Sequence, residues 1–255
     1  MNQWIAHESH TDKEINIFCF PHAGGTAAFF APWGRVFENQ AILPVQFPMR
    51  EKRIREKMMD SIPELAKAFA DACIDLIREK DFCFFGHCSG AIVAYETAVY
   101  LKKQYGIQPG VLFVSSCYAP QDYTAPRLSQ LSQEELLNVI RQSGFIAPEL
   151  LEEPAMFEYF APIVRKDFSL QESYICQHKE KISASIVAMY GGEDETLKDR
   201  EKIENWKNYT ETEFLMQEFP GSHFYLEKEI KKVAEVTEHV LKRRFDIDGK
   251  KNLSD

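Results

Sequence analysis

Residues 81–91 read Asp81-Phe82-Cys83-Phe84-Phe85-Gly86-His87-Cys88-Ser89-Gly90-Ala91. A compact apolar run ends in Gly-His-Cys-Ser-Gly, and a long apolar segment compatible with a helix follows at once. A buried strand, a sharp turn and a buried helix form the setting of a G-x-S-x-G nucleophile elbow, with Cys88 at its central position. Residues two before and two after such a turn crowd each other, so Gly86 and Gly90 meet a steric need.

Two other interpretations of this stretch stay open. In a shifted register Ser89 is the nucleophile, flanked by His87 and Ala91, but an imidazole is bulky for a flanking position. In a purely structural interpretation Cys88 is a buried free cysteine in a Gly-rich turn, because free cysteine is among the most buried residue types. The choice depends on what the rest of the chain supplies.

The 255 residues suit one α/β domain with a substantial core. We assign residues 1–248 to that domain, with a helical lid insertion at about 120–178, and expect 249–255 to be a frayed tail. A net charge of -9 argues against nucleic-acid binding. Residues 1–14 do not resemble a secretory signal and no apolar run could span a bilayer, so we expect a cytoplasmic protein without a membrane partner.

The six cysteines form no Cys-x-x-Cys pair and no zinc-like cluster with histidine. We therefore expect reduced thiols and no metal. Cys19, Cys83 and Cys117 lie in or beside apolar runs, which predicts that they are packing residues.

Apolar runs alternate with amphipathic segments, the pattern of a mainly parallel sheet covered by helices. The predicted strands are 15–20, 41–47, 81–86, 111–115, 185–190 and 213–219. The predicted helices are 61–77, 91–101, 131–143, 148–151, 156–175 and 229–244. Ser61, Pro63 and Glu64 open the first helix with a capping box.

No strand pattern interrupts the helices at 120–178, which favours a lid over the strand tips. Extra core packing without a gating role is the alternative. Phe157, Phe160 and Phe168 in this insertion suggest an apolar acyl channel.

Three loops after predicted strands carry Cys88, Asp194 and His223, the chain order of an α/β-hydrolase triad. His223 would take the thiol proton, or hold a thiolate as an ion pair, and later protonate a leaving group. Asp194 would accept a hydrogen bond from the other ring nitrogen and fix the tautomer. Three carboxylates compete with it for that role: Glu193, Glu195 and Asp199.

The backbone N–H groups of Ala23 and Ser89 are the predicted oxyanion donors. Ala23 lies in a loop after the first strand, where Gly24 and Gly25 allow backbone to approach closely. His22 and His87 border the predicted site. Neither has a carboxylate placed to orient it, so we interpret both as supporting or core histidines.

A charged loop, residues 48–55, follows the second strand. A solvated surface is the simpler expectation for it. In the alternative, Arg50 and Arg53 face a phosphate-bearing substrate arm or an acidic carrier protein.

Several blocks of this sequence resemble the type II (external, editing) thioesterases of nonribosomal peptide and polyketide synthesis. Phe20-Pro21-His22-Ala23-Gly24-Gly25 is similar to the first loop of that family, and Phe47-Pro48-Met49-Arg50-Glu51-Lys52-Arg53 to its Pro-Gly-Arg-Glu-x-Arg stretch. Gly86-His87-Cys88-Ser89-Gly90-Ala91 resembles Gly-His-Ser-Met-Gly-Ala. The remaining blocks are Gly192 to Asp194 with Trp206 downstream, and Phe219-Pro220-Gly221-Ser222-His223-Phe224.

The resemblance implies an α/β-hydrolase fold with a helical lid. It also implies hydrolysis of acyl, aminoacyl or peptidyl thioesters on the phosphopantetheine arm of carrier-protein domains, as in antibiotic biosynthesis. The substrate carries that arm, so no cofactor of the enzyme itself is expected. The candidate substrate-contact residues are His22, Gly24, Gly25, His87, Phe157, Phe160 and Phe224.

Two residues depart from the family pattern: Met49 replaces a glycine and Cys88 replaces the serine. Serine attacking a thioester makes a more stable oxoester, whereas cysteine exchanges one thioester for another and keeps the acyl group activated. Hydrolysis is therefore the first hypothesis and transfer to an amine or alcohol the second. A non-catalytic binding module is the third, and the complete triad argues against it.

Overall fold

The computed structural model describes residues 2–6, 13–143 and 154–245. Six strands form one parallel sheet in the order β2-β1-β3-β4-β5-β6. The strands are β1 (Ile15–Phe20), β2 (Gln40–Pro44), β3 (Asp81–His87), β4 (Val111–Ser115), β5 (Ser185–Gly191) and β6 (Phe214–Phe219). The α-helices are α1 (Ile62–Arg78), α2 (Ser89–Tyr105), α3 (Gln133–Ser143), α4 (Pro154–Ser173), α5 (Arg200–Glu204), α6 (Tyr225–Lys228) and α7 (Ile230–Phe245). Short 3₁₀ segments are Ala27–Arg35, Glu51–Arg53 and Asn205–Tyr209.

Successive side chains of a strand point to opposite faces of the sheet, and here both faces are buried. On β1, Phe18 and Phe20 pack with α1 and α2 in one apolar cluster. Ile17 and Cys19 enter a second cluster with Ala27–Arg35 and α7 on the other face. The predicted parallel sheet covered by helices is confirmed.

Hydrogen bonds of polar side chains set where helices α1 and α3 begin. Helix α1 begins as predicted, since the Ser61 hydroxyl accepts the Glu64 N–H at 3.3 Å, but the Glu64 carboxylate accepts from the Asp60 N–H instead of closing the box on Ser61. Helix α3 starts two residues late because a true capping box forms between Ser132 and Glu135.

Strand β2 ends three residues before its predicted end. Beyond Pro44 the chain turns to a different partner, and Val45 forms an antiparallel bridge with Ile5. The predicted helix 148–151 and the tail 249–255 lie outside the described residues.

The predicted helical insertion follows β4 and contains α3 and α4. Its apolar side chains form a third cluster, separate from the two that cover the sheet. Ala23, from the loop after β1, belongs to this cluster. None of the described helices is long and apolar enough to cross a bilayer.

Two of the three arginines of the charged loop, Arg50 and Arg53, are buried, so neither the solvated surface nor the phosphate-facing alternative holds for them. Arg50 is fully buried and pairs with Asp167 of α4. Arg53 bonds the Glu56 carboxylate at 2.6 Å and lies over the Trp4 ring, 3.9 Å from its centroid. A guanidinium is tolerated in such places because each of its three nitrogens has an acceptor.

The strand order places a crevice beside β3. Strands β1 and β3 are neighbours, but the chain runs from β1 to β2 on one side and from β3 towards β4 on the other. The loops after β1 and β3 therefore diverge, and ligands of open parallel sheets bind at such a point.

The turn between β3 and α2 has the geometry expected of an elbow. Cys88 adopts φ 54° and ψ −126°, and its N–H donates to the Ser115 carbonyl at 2.8 Å. A Cβ on Gly86 would lie 2.4 Å from Cα of Ala91, and one on Gly90 would lie 2.2 Å from the Phe20 carbonyl oxygen. Both glycines are therefore required by contact with backbone.

We expect Gly86→Ala to lower the free energy of unfolding by at least about 3 kcal/mol, because the added methyl group overpacks against backbone. Gly106→Ala is the matched control. Gly106 follows the end of α2 at φ 69° and has open space around it. An alanine there would therefore carry only the left-handed backbone strain, about 1 kcal/mol. Urea unfolding of both variants measures the difference, and equal losses would contradict the steric explanation.

Candidate active site

Three side chains from distant parts of the chain converge above the carboxyl ends of the strands. Cys88 follows β3, Asp194 follows β5 and His223 follows β6. The Nδ1 atom of His223 lies 2.8 Å from Oδ2 of Asp194, and the same ring forms a side-chain hydrogen bond with Cys88. Because a carboxylate only accepts hydrogen bonds, Nδ1 carries a proton and donates a hydrogen bond to Asp194.

The second oxygen of Asp194 is held by Thr196, which sequence reasoning missed. Its N–H donates to Oδ1 at 2.9 Å and its hydroxyl at 2.6 Å. Burial alone would raise the pKa of Asp194, but the hydrogen bonds from His223 and Thr196 outweigh it and hold the pKa below its usual value. The local sequence signal for this contact was an aspartate, whose side chain can accept a hydrogen bond from the backbone N–H two residues later.

The three competing carboxylates are all exposed, although Glu193 and Glu195 border the same cleft. Glu193 and Glu195 are exposed, and Glu195 pairs with Lys198 at 2.6 Å. Asp199 is exposed as well, with Lys202 at 3.6 Å. In the described part of the chain no group of three or more His, Cys, Asp or Glu side chains could hold a metal ion.

The electrostatics of the site favour a charged His223. Burial lowers the pKa of the ring, but its interaction with Cys88 and the hydrogen bond to Asp194 raise it to about 10. His223 is therefore a cation at neutral pH, and a cation beside a cysteine is the setting that activates a thiol. Cys88 is only partly buried, so a substrate can reach it.

Aromatic rings pack against His223. His87 lies 5.3 Å from it between ring centroids, and Phe224, Phe29 and His22 complete the group. His87 is fully buried, and its pKa is lowered by burial and then by the charges of His223 and His22. His87 is therefore neutral and packs against the ring of His223, while substrate contact at His87 stays a prediction.

His87 is tied to the sheet through Ser115. Its Nδ1 is hydrogen-bonded to the Ser115 hydroxyl at 3.0 Å, and that hydroxyl to Tyr225 Oη at 2.9 Å. Ser116 then donates to the backbone carbonyl of His223 at 3.0 Å. These bonds hold the histidine loop over the end of β4.

A cleft of about 420 Å³ gives access to Cys88 and His223. Of the described residues, its wall includes Phe224 and Phe168, which were predicted, and also Tyr123 and Cys117. Phe157 and Phe160 pack with the third apolar cluster. Substrate contact at those two residues stays a prediction.

A second cleft of about 690 Å³ adjoins the first. Tyr123 and Gln171 border both, and the Tyr123 hydroxyl donates to Oε1 of Gln171 at 2.7 Å. This hydrogen bond forms part of the partition between the two clefts.

The predicted oxyanion donors lie together on the side of the insertion. Ala23 and Ser89 both line a small cavity of about 20 Å³. Neither N–H has an acceptor among the described residues. The next N–H along, that of Gly24, donates to Asp167 at 2.7 Å, and the Gly25 carbonyl accepts from Arg50 at 2.6 Å.

The predicted packing cysteines behave as such. Cys19, Cys83 and Cys117 are buried, and burial raises the pKa of each thiol. They therefore stay protonated.

We expect Asp194→Asn to lower the pKa of His223 from about 10, because the amide cannot accept and stabilise charge as the carboxylate does. Glu193→Gln, at the exposed neighbour, is the control and should leave it unchanged. NMR titration of the ring Cε1 proton measures both.

The raised pKa of His223 also predicts how the free energy of unfolding depends on pH. Folding raises the pKa of His223, so its stabilising contribution is complete below a pH of about 6.5 and is lost as the pH rises through about 10. In Asp194→Asn this loss should occur at lower pH; an unchanged midpoint would contradict the assignment of Asp194.

Comparison with known proteins identifies the family. The thioesterase domain family model matches residues 15–243. The medium-chain S-acyl fatty acid synthase thioesterase of Rattus norvegicus is 32% identical over 223 residues, which cover 85% of this chain and 83% of the relative.

Two solved structures extend the comparison. RedJ, a thioesterase from the prodiginine biosynthetic pathway in Streptomyces coelicolor, has a TM-score of 0.78 at 34% identity, covering 84% of this chain and 85% of that one. The type II thioesterase BorB from the borrelidin biosynthetic cluster has a TM-score of 0.83 at 27% identity, covering 92% and 95%. The fold is thus an α/β-hydrolase fold, and the chain belongs to the thioesterase family and is a thioester hydrolase.

Proposed function

We propose that this protein hydrolyses acyl, aminoacyl or peptidyl thioesters on the phosphopantetheine arm of carrier-protein domains in nonribosomal peptide or polyketide synthesis. The observation that carries the proposal is Cys88, at a strained turn and hydrogen-bonded to a histidine that Asp194 orients. The similarity to BorB and RedJ, which belong to biosynthetic pathways, supports the substrate class. Because the arm belongs to the substrate, the proposal requires no cofactor of the enzyme itself.

The first half of the reaction transfers the acyl group to the enzyme. The Cys88 thiolate attacks the thioester carbon, and the Ala23 and Ser89 N–H groups would stabilise the negative oxygen that forms. When the intermediate collapses, the bond between carbon and pantetheine sulfur breaks. The imidazolium of His223 gives its proton to that leaving sulfur and becomes neutral.

The second half releases the acid. Neutral His223 takes a proton from water, and the resulting hydroxide adds to the acyl carbon. Collapse breaks the bond to Cys88, and the thiolate leaves beside the imidazolium, as at the start. Asp194 stays ionised throughout and keeps the Nδ1 proton in place.

Acyl transfer to an amine or alcohol is the second candidate, and Cys88 is the observation that favours it. A thioester on Cys88 is nearly isoenergetic with the substrate, so the acyl group remains activated for a nucleophile other than water. Cleft-bound amines or alcohols would then compete with hydrolysis. A binding module without catalysis would form no acyl-enzyme, and the arrangement of Cys88, His223 and Asp194 weighs against it.

We expect Cys88→Ala to form no acyl-enzyme, because the attacking sulfur is gone. The measurement is intact-protein mass spectrometry after incubation with an acyl thioester of pantetheine or of a loaded carrier domain. Cys117→Ala is the matched control, since Cys117 lines the same cleft and should leave acylation intact. Acylation of Cys88→Ala at the wild-type rate would overturn the proposal.

We expect Cys88→Ser to raise the ratio of hydrolysis to transfer when a primary amine is supplied. Amines attack thioesters far more readily than oxoesters, while water distinguishes them less. Product analysis of acid against amide measures the ratio. If it does not change, the thiol has no part in partitioning and the transfer hypothesis fails.

A further inference from the structure

The loop that carries Ala23 is held by the insertion as well as by the sheet. The Gly24 N–H donates to Oδ2 of Asp167, on α4, at 2.7 Å. The Gly25 carbonyl accepts from Nη1 of Arg50 at 2.6 Å. The two residues after Ala23 are therefore fixed by a carboxylate and a guanidinium that come from elsewhere in the chain.

Arg50 and Asp167 form one rigid unit. Two parallel bonds join them, Nη1 to Oδ2 at 2.9 Å and Nη2 to Oδ1 at 2.7 Å. Nε of Arg50 donates to the Pro48 carbonyl at 3.1 Å. Arg50 is fully buried and Asp167 is 7% exposed. Bidentate pairs of this kind fix both distance and orientation, so the pair can set the position of whatever it bonds.

Apolar contacts from the same helix reach the same loop. The Ala23 side chain is buried in the third cluster together with Val164. A Cβ on Gly24, where φ is 72°, would lie 2.8 Å from Cγ2 of Val164. Val164 and Asp167 are three residues apart and lie on one face of α4. That face is therefore seated directly on the Ala23 loop.

A Gly-Gly loop cannot fix itself, because glycine has the widest choice of backbone angles. An oxyanion donor must nevertheless be placed in advance if it is to stabilise charge in the transition state. We propose that Asp167, paired with Arg50, is a positioning residue that holds the Ala23 N–H where the oxyanion forms. The inference rests on the proposed function, since it assigns Ala23 a part in thioester attack.

The test compares two reactions of the same thiol. Acylation by a thioester forms an oxyanion, whereas alkylation of Cys88 by iodoacetamide does not. In Asp167→Asn the amide must direct its NH₂ group at a donor, either Arg50 or the Gly24 N–H. We expect acylation to fall roughly 10- to 100-fold, less than the 100- to 1000-fold typical of a deleted oxyanion donor because the donor is displaced and not removed, with alkylation almost unchanged and KM altered far less than kcat.

Glu56→Gln is the control, because it makes the same change from carboxylate to amide in the pair with Arg53, the other buried arginine of the charged loop. Arg53 and Glu56 bond each other and the Gln46 carbonyl, but not the Ala23 loop. The control should leave both reactions at wild-type rates. Arg50→Lys is a second variant, which keeps the charge but loses the paired geometry, and it should show the same separation of rates.

Three kinetic results would overturn the inference: unchanged acylation in Asp167→Asn, an equal fall in acylation and alkylation, or an equal effect in Glu56→Gln. Amide hydrogen exchange at Gly24 decides the structural step without any substrate. It should accelerate in Asp167→Asn, and unchanged protection would overturn the inference. If the wild-type protein is not acylated by thioesters, the proposed function fails, while the exchange experiment still decides whether Asp167 holds the loop.

Discussion

The backbone of Cys88 is the constraint on which the site depends. Its left-handed conformation costs an L-residue on the order of 1–2 kcal/mol, so the surroundings must impose it. They do so through the bond from its N–H to Ser115 and through the backbone contacts at Gly86 and Gly90. Because Ser115 ends β4 and Gly90 touches the end of β1, three strands together aim the thiol. The sheet and the reactive sulfur are therefore one structural unit.

Burial controls which groups around this sulfur are charged, in addition to the pairing of Asp194 with His223. Asp194 is nearly enclosed and His223 partly so, which strengthens the interaction between them. A second charged imidazole beside His223 would weaken its hold on a proton. His87 is prevented from charging because it is fully buried among aromatic rings. The aromatic group thus keeps the positive charge on the ring that faces Cys88.

Sequence patterns predicted the sheet, its helices and the three reactive loops well, because each depends on local periodicity or on a turn with its own steric signature. The burial of Arg50 was not predicted, because it depends on a distant contact. Its partner, Asp167, lies 117 residues further along, and a charged loop gives no local sign of such a pairing. Phe157 and Phe160 show the same limit, since an apolar residue on a helix does not reveal whether it faces a cleft or a neighbouring helix.

One face of helix α4 serves both the cleft and the Ala23 loop. Phe168 and Gln171 border the cleft, and Val164 and Asp167 contact the Ala23 loop. Because residues three, four and seven apart share one side of a helix, all four lie on the same side of α4. A rotation of this helix about its own axis would therefore displace the cleft wall and the Ala23 backbone together.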